Sequence, residues 1–275
     1  MLDLASPAWE KLQGPYGFSD RVPALIQHIQ HDYFSEEKEE LYWELLYHQN
    51  TIYPCTYAAV PYLVEIALKT QRPDILLDIF VTCGIFEANN PNAPQVDLPL
   101  EFLREQTQLE PDTIQEIYRE YHRAIQSLSK LTELLFQSVQ SEEQAGEKRY
   151  VLAADAAFRG DKDIASMLLT YLEGDEYVIV CPTCDTSLYL WPDEEKSCLY
   201  AYEEDPVSHG IAKPFAINPN SQTSTQDTRY QALFRQVCEI DEPLLLAHLP
   251  YLAGEMNCCS CDSPMLIWTE LLSEF

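Results

Sequence analysis

The sequence predicts an all-α fold, an α-solenoid of paired helices, with a small β module inserted in its C-terminal part. Apolar residues recur at helical spacing from residue 21 to about residue 172, with little of the alternation typical of strands. The segment Val22–Ile26 (VPALI) is echoed by Val60–Val64 (VPYLV), at a separation typical of paired-helix repeats. After Gly174, short β-prone runs replace the helical pattern.

Capping and turn residues predict the helices of the N-terminal region. Ser35, followed by acidic residues, predicts a helix from Glu36 to about His48, because serine caps helix N-termini and acidic side chains favour the first turn. Pro54 fits the first turn of the next helix, where its missing N–H costs nothing.

The same signals extend to the end of the helical pattern. Residues 87–99 are rich in Pro and Asn and predict a loop. Pro111 opens a long helix whose apolar stripe continues to Leu135. Two shorter amphipathic stretches around Gly160 predict a helical hairpin that ends at Gly174.

The C-terminal part mixes both patterns. Residues 177–181 and 187–191 are β-prone and flank a cysteine pair, residues 203–228 predict a long polar loop, and helices return over 230–238 and 243–252. We therefore expect two domains. Helical repeats form residues 1–174, and a β module with an inserted acidic loop and C-terminal helices forms residues 175–275.

Composition narrows the possible partners and the expected location. The chain has 45 acidic and 17 basic residues and a net charge of −28, which repels nucleic acid and anionic membranes and attracts a basic partner. The N-terminus lacks the pattern of a secretory signal, and no apolar run reaches the length of a membrane span. We expect a cytoplasmic protein with neither a nucleic-acid nor a membrane partner.

Two pairs of cysteines have the sequence spacing of metal ligands. Cys181-Pro-Thr-Cys184 and Cys258-Cys-Ser-Cys261 are both C-x2-C units, each followed by a β-prone stretch. Such a turn aims two thiolates at one ion, and two turns complete the tetrahedral shell that zinc favours. The sequence therefore predicts a structural zinc-ribbon site with these four ligands, closed to water and so not catalytic.

Other assignments of the nine cysteines stay open at this point. The segment between Cys184 and Cys258 is much longer than the spacing of a compact zinc ribbon, so a helical insertion must bridge the two pairs. Cys259 is an alternative fourth ligand, and Cys198 or Cys238 could also substitute for one member. Cys55 and Cys83 lie on helical stretches and are expected to be small buried apolar residues.

Enzymatic alternatives find little support in the sequence. A redox C-x-x-C requires a helix N-terminus in a βαβ setting, and a zinc deaminase requires a His-x-Glu that this chain lacks. Phosphate-binding glycine loops, nucleophile elbows and zinc-protease motifs are also missing. We expect no enzyme. The polar corner His48–Tyr53 is interpreted either as a turn or as a contact surface.

Several short motifs resemble a group of bacterial HEAT-repeat-like proteins. They are Trp9–Leu12, Val22–Ile26 and the run from Tyr47 to Leu63 (YHQNTIYPCTYAAVPYL), and the resemblance extends to the helical hairpin and both cysteine turns. It implies a HEAT-like α-solenoid carrying zinc-ribbon cysteines. Members of this group often resemble immunity proteins of polymorphic toxin systems. One departure is Cys258-Cys-Ser-Cys261, where the group more usually has Cys-Pro-x-Cys.

The resemblance and the charge together predict an immunity protein that binds a cognate toxin, such as a basic nuclease, and occludes it. Residues 163–275 contain 19 acidic and 4 basic side chains. Acidic clusters beside aromatic anchors predict the contact surface there. The candidate contact residues are Trp191, Asp193, Glu194, Glu195, Tyr202, Glu203, Glu204 and Asp205. The alternative function is a helical scaffold or regulatory adaptor that binds another protein.

Overall fold

The computed structural model describes residues 1–93, 96, 98–104, 108–140, 145–193, 198–209, 213–220 and 227–275. Of these described residues, 57% lie in helices and 13% in strands, which form four small sheets, and the described helices show no solenoid. The predicted all-α HEAT-like α-solenoid is therefore wrong. The chain folds as helices with several small antiparallel sheets.

The helices vary widely in length, and the strands are mostly short. The α-helices are α1 Val22–Ile29, α2 Glu36–Glu39, α3 Pro54–Lys69, α4 Pro73–Ala88, α5 Leu100–Arg104, α6 Pro111–Leu128, α7 Thr132–Ser138, α8 Ala145–Arg159, α9 Lys162–Thr170, α10 Pro206–His209, α11 Thr228–Ile240, α12 Pro243–Leu252 and α13 Ile267–Leu272. Short 3₁₀ helices cover Pro7–Lys11 and Ser129–Leu131, and a π-helical segment, Glu40–Leu46, continues α2. The strands are β1 Gln13–Gly14, β2 Gly17–Phe18, β3 Tyr47–His48, β4 Thr51–Ile52, β5 Tyr177–Val180, β6 Ser187–Asp193, β7 Cys198–Tyr202, β8 Phe215–Ala216, β9 Glu255–Asn257 and β10 Pro264–Leu266.

The repeated pentapeptide does not mark a structural repeat. Val22 is the first residue of the eight-residue helix α1, whereas Val60 lies in the middle of the sixteen-residue helix α3. The two copies therefore occupy different positions in their helices and cannot be equivalent parts of stacked helix pairs. Helical periodicity shows which residues face a core, but it does not distinguish a bundle from a solenoid.

Two small hairpins that precede α3 were not predicted. β1 pairs with β2, and β3 pairs with β4, each over two residues. Strands of this length are too short for alternation to be visible in sequence. Gln49 and Asn50 connect β3 to β4 with φ of 49° and 57°, as a two-residue hairpin turn requires. The polar corner at His48–Tyr53 is thus a hairpin leading into α3.

The chain divides into two compact units, residues 1–135 with 157–159, and residues 136–156 with 160–275. The first unit is built around α3, which packs against α1, α4 and α6. Twelve of the sixteen residues of α3 are buried, so the helix has almost no solvent face.

The second unit is built around an antiparallel sheet with strand order β5-β6-β7-β8. Helix α13 packs against β5 and α9, and α12 packs against β7. The hairpin β9–β10 forms a separate two-stranded sheet and is joined to the segment after β8 by a bridge between Asn218 and Glu255.

Several predicted element ends are confirmed. Pro54 and Pro111 open α3 and α6, and α8 ends and α9 begins on either side of the Gly160 turn. The division into two domains at residue 174 stays a prediction. Within the described ranges, none of the helices combines the length and the apolar character needed to cross a membrane.

Candidate metal centre

The first cysteine turn connects β5 to β6. After Cys181, the chain folds back so that the amide of Asp185 donates to the Cys181 carbonyl at 2.9 Å, and the amide of Cys181 donates to the Thr186 carbonyl at 2.9 Å. Asp185 adopts a left-handed conformation with φ of 57°, which Asp tolerates better than most residues. The turn places Cys181 and Cys184 on the same side of the backbone.

The second turn, between β9 and β10, has the same hydrogen bonds. The amide of Asp262 donates to the Cys258 carbonyl at 3.0 Å, and the amide of Cys258 donates to the Ser263 carbonyl at 2.8 Å. Asp262 repeats the left-handed conformation, with φ of 60°. We refer to residues 181–186 and 258–263 as the first and second knuckle.

The two knuckles bring four sulfur atoms together from opposite ends of a long insertion. The Sγ atoms of Cys181, Cys184, Cys258 and Cys261 all lie within 4.8 Å of one another. Cys181 Sγ is 3.7 Å from Cys261 Sγ, and Cys184 Sγ is 3.7 Å from Cys258 Sγ. A tetrahedral ion with metal–sulfur bonds of about 2.3 Å requires sulfur–sulfur distances of about 3.8 Å. These separations therefore suit four ligands of one ion.

Hydrogen bonds and burial shift the pKa values of two cysteines of the cluster in opposite directions. Thr186 Oγ1 is 3.2 Å from Cys184 Sγ, and Ser263 Oγ is 3.3 Å from Cys261 Sγ. Hydrogen bonding with the side chain and backbone of Ser263 lowers the pKa of Cys261 to about 6. Burial raises the pKa of Cys258 to about 12.

These four cysteines could hold a metal ion. They form the one group of three or more clustered His, Cys, Asp or Glu ligands found in the described part of the chain. Four sulfur ligands close a tetrahedral shell and leave no position for water or substrate, which is the arrangement of structural sites. Both knuckles connect β-strands rather than opening a helix, so the setting of a redox C-x-x-C is not present here.

The structure also decides which cysteine of the second knuckle joins the cluster. Cys258 occupies the position of Cys181, whereas Cys259 occupies that of Pro182 and its sulfur is not in the cluster. Cys198 lies buried in β7, and Cys238 is exposed on α11. Neither replaces a member of the group.

The two remaining cysteines behave as expected. Cys55 on α3 and Cys83 on α4 are both fully buried in the first unit. Burial raises the pKa of the Cys55 thiol to about 12 and also raises that of Cys83. Both therefore remain neutral thiols and pack as small apolar side chains.

Sequence reasoning missed the two residues that follow each cysteine pair. The first knuckle reads Cys-x-x-Cys-Asp-Thr, and the second reads Cys-x-x-Cys-Asp-Ser. Aligning the two knuckles on Asp and the hydroxyl residue would have assigned Cys258 and Cys261 as the matching pair and set Cys259 aside. The shared positions are Asp185 with Asp262, and Thr186 with Ser263.

The predicted contact residues lie around the sheet of the second unit. Trp191 and Asp193 are on β6, Tyr202 is on β7, and Glu203, Glu204 and Asp205 follow β7. Glu203 and Glu204 are exposed, whereas the Asp205 carboxylate accepts a hydrogen bond of 2.9 Å from the amide of Val207. Glu194 and Glu195 lie outside the described residues.

The strand register places aromatic side chains together on one side of this sheet. Tyr189 pairs with Tyr202, and Trp191 pairs with Tyr200, so all four share one face. Each is partly exposed, whereas the intervening Leu188, Leu190, Leu199 and Ala201 are buried. We call Tyr189, Trp191, Tyr200 and Tyr202 the aromatic face.

Comparison of the chain with models of known protein families, with curated protein sequences and with solved structures finds no match.

Proposed function

We propose that the four clustered cysteines bind one Zn²⁺ as a structural ion. The sulfur–sulfur separations of 3.7 Å support this assignment, because they match a tetrahedral zinc–thiolate site. Thiolates also bind copper(I) and iron, but a closed site of four cysteines on two turns is the common form of structural zinc.

Native mass spectrometry of protein purified without added metal tests this assignment. We expect a mass excess of one zinc ion, lost in Cys181→Ser and in Cys258→Ser. Cys259→Ser is the matched control, since it changes a neighbouring thiol outside the cluster and should retain the ion. A metal-free protein, or a different ion of matching stoichiometry, would contradict zinc.

We further propose that the chain is an immunity protein that binds and occludes a basic toxin. The observation that carries this proposal is the aromatic face, with the exposed carboxylates of Glu203 and Glu204 following directly after Tyr202. Aromatic residues supply much of the binding energy of protein interfaces, and complementary charge accelerates association with the right partner. The net charge of −28 strengthens the attraction for any basic protein.

Growth rescue tests this function directly. The neighbouring gene of the source genome is expressed in a bacterial host, with and without this chain. We expect its product to be toxic alone, to be neutralised by the wild-type chain, and to form a stable complex with it. Trp191→Ala and the double change Glu203→Lys with Glu204→Lys should weaken both the rescue and the complex.

The matched control for the charge reversal is Glu116→Lys, which alters an exposed glutamate on α6 in the other unit. Zinc content and melting temperature show whether each variant is folded. If the chain still rescues growth after Trp191→Ala and after the double change of Glu203 and Glu204, the aromatic face and these two glutamates are not the toxin-binding surface. A non-toxic neighbour that forms no complex would contradict the immunity function and favour the scaffold or adaptor.

A further inference from the structure

A pocket in the first unit holds a carboxylate that the proposed function does not use. The pocket has a volume of about 270 Å³ and lies between the β3–β4 hairpin, the first residues of α3, the end of α4 and Glu101 of α5. Its lining includes Asn50 and Thr51, which are exposed, and Tyr53, which is partly exposed. Glu101 also lines it, and its 8% exposure makes it the most buried polar residue of the lining.

One oxygen of this carboxylate is held firmly by its neighbours. Glu101 Oε2 lies 3.0 Å from the Tyr57 hydroxyl and accepts a hydrogen bond of 2.6 Å from the Asn92 side-chain amide. Burial, and then the charge of Glu101, raise the pKa of Tyr57, so this phenol stays protonated and can donate. The surrounding network therefore orients the carboxylate in the pocket.

Among the described residues, the hydrogen bonds of Glu101 all go to Oε2, and the other oxygen, Oε1, is not one of the buried side-chain atoms that lack a partner, so Oε1 is open to solvent in the pocket. A ligand that covers this oxygen takes it out of water, so that ligand must supply a cation or another donor in return. Because Glu101 lines an open pocket, a ligand can supply that partner from outside.

The remaining lining favours a flat cation over a compact one. Tyr53 and Pro91 also line the pocket, and so do Asn50, Thr51 and Asn89, whose side-chain oxygens can accept hydrogen bonds. Asn50 Oδ1 already accepts one of 2.9 Å from the Tyr47 hydroxyl. A guanidinium group is planar, has five donors, is weakly hydrated and stacks on aromatic rings, whereas an ammonium group is a strongly hydrated point charge. The volume is below the roughly 300–1,000 Å³ of pockets for drug-sized molecules and suits a single side chain.

We propose that this pocket, which is lined by both the buried Glu101 and the partly exposed Tyr53, binds the guanidinium group of an arginine side chain. The guanidinium group donates to Glu101 Oε1 and stacks on Tyr53 and Pro91. The pocket itself is independent of the proposed function, and only the source of the arginine, a basic toxin, rests on it.

Titration with a single blocked amino acid tests the pocket without any protein partner. N-acetyl-arginine amide is added to the isotope-labelled full chain, and the backbone amide signals of Thr51 and Asn89 are followed by NMR. We expect a saturable shift. The citrulline analogue has the same shape without the charge and should give none, and the lysine analogue should bind more weakly.

Variants assign this binding to Glu101. Glu101→Gln retains an acceptor for Tyr57 and Asn92 and should weaken the arginine probe by at least about tenfold, the loss expected for a hydrogen bond to a charged group. Thr51→Lys, at an exposed strand position, should place a tethered cation in the pocket and also abolish binding. Glu116→Gln removes one exposed charge from α6 and should leave the affinity unchanged.

The outcomes separate this proposal from the proposed function. Equal binding of arginine and citrulline, unchanged affinity in Glu101→Gln, or no saturable shift with the arginine probe would overturn the pocket. If the toxin is still captured in that case, the immunity function stands without it. If the arginine probe binds but no toxin is captured, the pocket stands and the immunity function fails.

Discussion

Gly174 is a position in the second unit at which the structure excludes a side chain. It adopts a left-handed conformation with φ of 66°, and a Cβ atom built there would lie 2.5 Å from Arg149 Nη2. Arg149 cannot easily move, because it is only 3% exposed and its Nη1 donates to the Tyr171 carbonyl at 2.6 Å. The site therefore excludes a side chain for two reasons, backbone conformation and contact.

Comparing two glycine substitutions separates these reasons. We expect Gly174→Ala to lower the free energy of unfolding by about 2 kcal/mol or more, from the left-handed conformation and the displaced guanidinium. Gly160→Ala is the matched control, because Gly160 has φ of 87° but no atom within 4 Å of its Cβ position. It should cost only the conformational part, about 1 kcal/mol. Urea denaturation measures both, and equal losses would contradict a role for Arg149.

His248 predicts a pH dependence of stability. It is 1% exposed, and its Nδ1 lies 3.1 Å from the Tyr177 hydroxyl. Burial, and then the charge of Arg149, lower its pKa from 6.5 to about 4. Protonation therefore favours the unfolded chain, and the resulting loss of stability grows as the pH falls from about 6.5 to about 4.

We expect this histidine to cost about 1 kcal/mol of stability between about pH 7 and about pH 5.5. The many carboxylates also titrate, so the test is a comparison of urea denaturation curves for the wild type and His248→Asn at both pH values. Over this pH range, the free energy of unfolding of the wild type should fall by about 1 kcal/mol more than that of His248→Asn. Parallel losses in the two proteins would show that His248 does not carry the effect.

At the scale of elements, the knuckles explain how the short hairpin β9–β10 becomes ordered. β9 and β10 pair over only three residues, and an isolated two-stranded hairpin is at best marginally stable in water. A shared ion would join the second knuckle to the first one, at the end of the four-stranded sheet. Metal binding is then part of the folding free energy of this region.

Chelation should therefore loosen the knuckles selectively. We expect hydrogen exchange of backbone amides to accelerate in residues 181–186 and 255–266 when a chelator is added, while α3 in the other unit keeps its protection. Cys184→Ser should imitate the chelator, and Cys259→Ser should not. Exchange that is unchanged by chelation would mean that packing alone orders the hairpin.

Element boundaries could be predicted where a local chemical rule applies. Pro54 and Pro111 mark helix starts because proline lacks an N–H and fits the first turn, and the structure begins α3 and α6 at these residues. The hairpin β3–β4 was missed because two-residue strands carry no visible period, although Asn50 in its turn is a typical turn residue.

At the scale of the whole molecule, the main feature is the large negative net charge. A net charge of −28 on 275 residues destabilises a compact state through repulsion among carboxylates. Salt shortens the range of this repulsion, because the Debye length falls from about 30 Å at 0.01 M to about 8 Å at 0.15 M.

We expect the melting temperature to rise by a few degrees over this salt range, about 2–4 °C for each kcal/mol of repulsion relieved. The double change Glu203→Gln with Glu204→Gln, at two exposed carboxylates, should reduce the salt dependence. A melting temperature that falls with added salt would mean that ion pairs contribute more to stability than net repulsion removes.

By itself the sequence determined the two C-x2-C units, the main helix starts and the acidic character, because spacing, proline position and composition act locally or add up along the chain. Tertiary structure decided that the helices do not stack as a solenoid, since periodicity marks a buried face without saying what covers it. It also decided the choice of Cys258 over Cys259 and the pocket at Glu101. The sulfur cluster and the pocket join side chains far apart in sequence, which only packing brings together.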